Sequence, residues 1–114
     1  MPWLRIDDHF VEHERIEPLS DRAFRLHMAA LCASARKLTD GHVSSKDGRV
    51  LSLMVGAKPK HISELETTGV WTLNGDGWVI RDYLDYNPSA EQVRGERRKA
   101  AERMKHARAN RGER

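Results

Sequence analysis

An α+β fold is what three features of this 114-residue sequence predict. They are an amphipathic helical stretch opening at Ser20, two shorter helical segments behind it, and two aromatic and β-branched runs folded about Asn74-Gly75-Asp76-Gly77. The length leaves room for one domain, and with 39% apolar and 32% charged residues only a modest core can form.

From Trp3 to Leu19 apolar and acidic residues mix without a helical or strand period, so this segment reads as extended with at most one helical turn, Trp3 packing it onto the core. Ser20 then has the character of an N-cap, with Leu19 before it and Asp21 in the first turn, where the helix dipole favours negative charge. Ala23, Phe24, Leu26, His27, Ala30, Leu31 and Ser34 recur at steps of three and four, which predicts a helix over about 21–38 with that face buried. Arg36 and Lys37 suit its negative end, and Thr39-Asp40-Gly41 stops it.

His42-Val43-Ser44 is long enough only for an edge strand. Ser44 or Ser45 caps a second helix whose buried face is read as Val50, Leu51 and Met54, with Leu53 and Val55 beside them, although Gly48 weakens it. Lys58-Pro59 opens a third helix, because proline is well tolerated at the first helical position; Ile62 and Leu65 face inward and Gly69 ends it. Val70-Trp71-Thr72-Leu73 and Trp78-Val79-Ile80-Arg81 form a β-hairpin around residues that accept positive φ, with Trp71 and Trp78 as cross-strand partners. Helix, short strand, helix, helix and hairpin in that order make a winged helix-turn-helix with a hairpin wing.

The net charge of +3 averages two unlike regions. Residues 1–88 hold 11 Lys/Arg against 13 Asp/Glu, whereas 89–114 hold 9 against 4. The boundary falls at Asn87-Pro88-Ser89, separating a winged-helix domain (1–88) from a basic tail (89–114) that is helical or disordered. In the tail Val93, Arg97, Ala100, Met104, Ala107 and Arg111 follow alternating steps of four and three, so it can become helical on a ligand, with Gly95 as an interruption. No run approaches the roughly 18–20 apolar residues of a membrane span. The opening Met1-Pro2-Trp3-Leu4-Arg5 lacks a signal-like pattern, and one cysteine cannot pair internally, so a reducing, cytoplasmic setting is expected.

Several stretches taken together carry a resemblance: Leu19 to His27, Leu38-Thr39-Asp40-Gly41, Glu64-Leu65 with Gly69-Val70-Trp71, and Gly77 to Pro88. The set resembles the N-terminal winged-helix domain of phage and prophage replication-initiation (replisome-organiser) proteins, particularly the actinobacterial type, over about residues 3–88; the Arg-rich continuation is also similar. The resemblance implies a winged-helix fold and a DNA-binding, replication-related role. The sequence departs from it in a hairpin tip that carries Asp76 and no cation, and in an acidic segment around His9 and His13.

In helix-turn-helix proteins the second helix of the motif presents its N-terminal residues to the major groove. Here that places Lys58, Lys60, His61, Ser63 and Thr67 as nucleic-acid contacts, with Glu64 and Glu66 offsetting the two lysines. Arg94, Arg97, Arg98, Lys99 and Arg103 supply most of the affinity from the tail; if about four tail cations meet phosphates, log K falls with log salt at a slope of about −3.6. Double-stranded DNA is therefore the expected partner, and contact with a replication or transcription protein is the alternative. Asp7, Asp8, His9 and His13 bring carboxylates beside two imidazoles spaced to share a helix side, a weak metal signal with no second cluster. Cys32 reads as a small buried residue. No catalytic residue, metal site, cofactor or membrane contact is expected.

Overall fold

The computed structural model describes residues 3–112, so the opening Met1-Pro2 and the tail cation Arg114 lie outside the described residues, as does the Arg111 side chain. The chain is α+β. Helix α1 (Asp21–Lys37) is followed by β1 (His42–Val43), α2 (Ser45–Val55), α3 (Pro59–Thr67), β2 (Trp71–Asn74), β3 (Gly77–Ile80), a single turn α4 (Tyr83–Tyr86) and α5 (Ala90–Gly112). The strands form an antiparallel sheet in the order β1-β3-β2.

Local chemistry sets the helix ends. Ser20 Oγ accepts the Ala23 amide at 3.3 Å, and of the two candidate serines it is Ser44 that caps α2, its Oγ accepting the Asp47 amide at 3.0 Å. Helix α1 closes on Leu38 in the left-handed conformation, its N–H donating to Ser34 O. Gly56 ends α2 with a φ of 72°, and Gly69 follows α3 at 80°.

The core gathers where α1, α2 and α3 meet the buried face of the sheet: Leu26 and Leu65 are fully buried, with Ala23, Ala30, Leu51, Val55, Val43, Trp71 and Ile80 around them. Each large apolar side chain so placed contributes roughly 1.5–3 kcal/mol. On α1 the expected face is the buried one, with Phe24 half-exposed.

Four expectations are corrected. On α2 the buried residues are Gly48, Leu51 and Val55, whereas Val50, Leu53 and Met54 are exposed. Gly48 belongs to this inner face because the Trp78 ring lies over it: a Cβ there would come within 2.7 Å of the ring. Cys32 is exposed, since at about 100° per residue it lies opposite the stripe of Ala23, Leu26, Ala30 and Ser34. Trp3 is 87% exposed; the leading segment is held instead by Arg5, whose N–H donates to Asn87 Oδ1 at 2.8 Å, and by the half-buried Leu4 and Phe10. Finally, Trp71 pairs with Ile80 and Leu73 with Trp78, so the two indoles are diagonal neighbours on one sheet face, 5.7 Å between centroids, and not direct partners.

The close approach of β1 to the start of β3 in the sheet explains one glycine. A Cβ on Gly77 would run into the carbonyl oxygen of Val43 and come within 2.9 Å of the Ser44 Cα. Gly77→Ala must push backbone apart and is expected to cost roughly 2–4 kcal/mol. At the hairpin tip Gly75 has φ 63° with open space around it, so Gly75→Ala costs only about 1 kcal/mol. Urea denaturation of the two variants checks the difference, and equal losses would count against this close approach of β1 to β3.

Candidate nucleic-acid interface

The first cationic element is the start of α3. Lys58 is its N-cap, Pro59 fills the first helical position, and His61 Nδ1 accepts the Lys58 amide at 2.9 Å, which satisfies one of the donors a helix start leaves free. Lys58, Lys60, Ser63 and Thr67 are exposed and His61 is half-buried, with Ser63 Oγ donating back to Pro59 O at 3.2 Å. The lysines thus stand where the helix dipole also favours an anion.

The acids that offset these lysines in the sequence have fixed duties elsewhere. Glu64 Oε2 accepts the Ser20 amide at 2.6 Å, and Glu66 Oε1 accepts the Trp78 indole N–H at 2.8 Å. Both carboxylates are turned to the body of the fold, and the outer face of α3 is left to Lys60, Ser63 and Thr67.

The second element is α5, one continuous helix from Ala90 to Gly112 that runs through Gly95 without a break. Its start is built with care. Ser89 Oγ accepts the Gln92 amide at 3.1 Å while Gln92 Oε1 accepts the Ser89 amide at 2.8 Å, a reciprocal capping box. Asp40 Oδ1, from the turn after α1, accepts the Ala90 amide at 2.7 Å and sets a negative charge at the positive helix end. Ala90 and Val93 are buried against the head, and Asn87 ties the junction to Arg5. Beyond Gly95 every described side chain is exposed, and the helix stretches the molecule to 64 Å in its longest dimension against 30 and 23 Å in the others.

Helical geometry sorts the tail cations. At about 100° per residue, Arg94, Arg97, Arg98, Lys105 and Arg108 fall within an arc of about 100°, and the stripe from Arg94 to Arg108 is about 21 Å long. Lys99 and Arg103 point to the other side, where Lys99 Nζ lies 4.0 Å from Glu96 Oε1. Arg94, Arg97 and Arg98 are thus brought together, Lys99 and Arg103 are not, and Lys105 and Arg108 join the stripe. The Ser89-x-x-Gln92 box and the same angular reckoning applied to the arginines were the signals in the sequence that point to them.

The two elements leave opposite ends of α1. Near its start Arg22 Nη1 donates to Val55 O at 2.6 Å, just ahead of Lys58, whereas α5 begins beside Asp40 just past its end. A 17-residue helix is about 25 Å long, so the starts of α3 and α5 stand apart by roughly that length, comparable to about seven base pairs of duplex.

The acidic segment builds no ligand cluster. Its helical turn covers only Phe10–Glu12, and His13 is extended, so His9 and His13 do not share a helix side. His13 Nδ1 accepts the Arg15 amide at 3.1 Å and His9 lies 3.5 Å from Glu12; among the described residues no three of His, Cys, Asp or Glu converge as metal ligands. Nor is any described helix long and apolar enough to cross a membrane. Comparison with protein-family models, with curated proteins and with solved structures finds no match for this chain.

Proposed function

We propose that the chain is a DNA-binding module of a phage or prophage replication-initiation or regulatory protein, built on a winged helix-turn-helix and without a catalytic role. In this reading α2 and α3 form the helix-turn-helix and the β2–β3 hairpin the wing. The reading is carried by the α5 stripe of Arg94, Arg97, Arg98, Lys105 and Arg108, a one-sided array of guanidinium and ammonium groups held on a projecting helix. Such an array suits the phosphates of a duplex, because each phosphate neutralised releases condensed counterions. The Lys58 and Lys60 pair at the start of α3 orients the head on the same duplex, with α1 spacing the two contacts.

Fluorescence anisotropy with duplex oligonucleotides across a salt series tests it on the full chain. With the five stripe cations and the Lys58 and Lys60 pair all in contact, log K falls with log salt at a slope of about −6.3. Changing those five to glutamine removes most of the affinity and flattens the slope, whereas Lys99→Gln with Arg103→Gln leaves both nearly as they were. Lys58→Glu with Lys60→Glu weakens binding further and, by loss of phosphate contacts, lowers the slope by about two. If the five-fold variant binds duplex with unaltered affinity and slope, the DNA reading is wrong.

A second reading has its own observation. Val50, Leu53 and Met54 are 53%, 84% and 65% exposed on the outer face of α2, a cluster of large apolar side chains turned to solvent. That face suits contact with a replication or transcription protein. Under the DNA reading Leu53→Glu leaves duplex affinity unchanged; under the protein-contact reading it abolishes partner capture while the α5 stripe is dispensable.

A further inference from the structure

Between the leading segment, α1 and the sheet lies a cavity of about 130 Å³, walled by Phe10, Leu31, Ile80 and Tyr83, which none of the nucleic-acid contacts uses. At its side sits His27, 2% exposed and the most deeply buried titratable group lining it. Its protonation state follows from one hydrogen bond. The Trp71 indole can only donate, and it donates from Nε1 to His27 Nδ1 at 3.1 Å. Nδ1 is therefore unprotonated. Burial holds the imidazole neutral, lowering its pKa to about 4, so the ring proton is on Nε2. Phe10 stacks on the ring at 5.9 Å, and among the described residues Nε2 has no hydrogen-bond partner, which leaves an N–H donor for the cavity the ring lines.

The mouth has a different character. Arg15 and Arg81 converge over Gly69: a Cβ placed there would lie 3.8 Å from Arg15 Nε and 3.9 Å from Arg81 Nη1. Neither guanidinium lies within 4.0 Å of a carboxylate among the described residues. With Arg5 the lining holds three guanidiniums against the carboxylates of Asp7 and Asp82, and Asp7 already accepts the His9 amide at 2.8 Å. The volume is close to that of a cavity of about 150 Å³ known to hold one benzene ring.

We propose that this cavity binds a small single-ring aromatic carboxylate, its ring against the apolar walls, its carboxylate at Arg15 and Arg81, and a ring-borne acceptor on His27 Nε2. The guanidinium pair matches a carboxylate by charge-assisted hydrogen bonds, and the imidazole donor selects a ring with an oxygen at its far end. The site stands apart from the DNA reading, since it uses no residue of α3 or α5.

Calorimetric titration of the full chain with 4-hydroxybenzoate, benzoate and 4-methylphenol tests the assignment, with the Trp71 and His27 ring N–H signals followed by NMR. The first probe is expected to saturate the site and shift both ring signals, benzoate to bind several-fold more weakly, and 4-methylphenol about tenfold more weakly. Both positions are on the surface side of the cavity, so Arg15→Gln with Arg81→Gln keeps the fold and removes the advantage of 4-hydroxybenzoate over 4-methylphenol. Absence of saturation by 4-hydroxybenzoate up to about 10 mM overturns the site, as that is weak even for a ligand of ten heavy atoms. Undiminished binding in the double variant overturns the carboxylate end, and equal affinity for benzoate and 4-hydroxybenzoate overturns the role of His27.

Discussion

Trp71→Ala is expected to lower the unfolding free energy by about 4 kcal/mol, enough to unfold much of the population of a marginally stable small domain. Trp71 is the largest fully buried side chain of the fold, 1% exposed, at the meeting of the sheet with α1 and α3. Its removal deletes the indole contact with Trp78 and leaves a cavity that backbone relaxation fills only in part. It also strips His27 Nδ1 of the one donor it has among the described residues, leaving a buried acceptor unpaired. Trp71→Phe separates these effects. It keeps most of the ring area and loses the N–H, so about 1–3 kcal/mol of the penalty should persist. Urea denaturation followed by far-ultraviolet circular dichroism reads both variants; a loss under about 1 kcal/mol for Trp71→Ala would mean that the core is not organised around this residue.

The second large effect is a loss of stability in mild acid. In the unfolded chain His27 takes a proton near pH 6.5, whereas in the fold desolvation lowers its pKa to about 4. As pH falls below 6.5 the unfolded state binds the proton first, and stability falls with it. The contribution is complete above pH 6.5 and is lost progressively down to about pH 4, amounting to about 3 kcal/mol. Protonation would place a hydrogen on Nδ1, where the Trp71 indole already points its own. Denaturation midpoints measured between pH 7.5 and pH 4.5 should therefore decline in the wild-type chain and lie nearly flat in His27→Gln, which lacks the titrating ring. Equal declines in both would assign the acid sensitivity to other groups.

Both expectations depend on one pairing, and neither partner's role is visible in the linear sequence. His27 lies in phase with Ala23 and Ala30, so its burial follows from the helical period. Trp71 announces itself by the aromatic run before the Asn74-Gly75 turn. Their meeting, 44 residues apart, follows from the packing of α1 on the sheet. The same division runs through the candidate interface. The basic tail, Lys58 and Lys60 are legible as composition and helix-start chemistry, and the Ser89-x-x-Gln92 box is readable too, though the scarcity of large apolar residues behind it argues for disorder. Which cations share a side becomes definite only once the helix is continuous through Gly95.

Helix α2 shows why a periodic pattern can be ambiguous. Val50, Leu53 and Met54 form one apolar face, and Gly48, Leu51 and Val55 form the other. Hydrophobicity favours the first. The structure buries the second, because the Trp78 ring needs the space that only a side chain as small as glycine's hydrogen leaves open.

Taken alone, the sequence determined the helix cap at Ser20, a cap for α2 at Ser44 or Ser45, the proline start of α3, the hairpin about Gly75 and Asp76, and the concentration of positive charge after Ser89. Those features depend on neighbours within four residues, where backbone geometry and local hydrogen bonds decide. Tertiary structure alone decided the inner face of α2, the exposure of Trp3, the duties of Glu64 and Glu66, and the cavity beside His27. Each of these depends on which surfaces exclude water together, and that is a property of the packed whole, set by contacts between segments far apart in the chain.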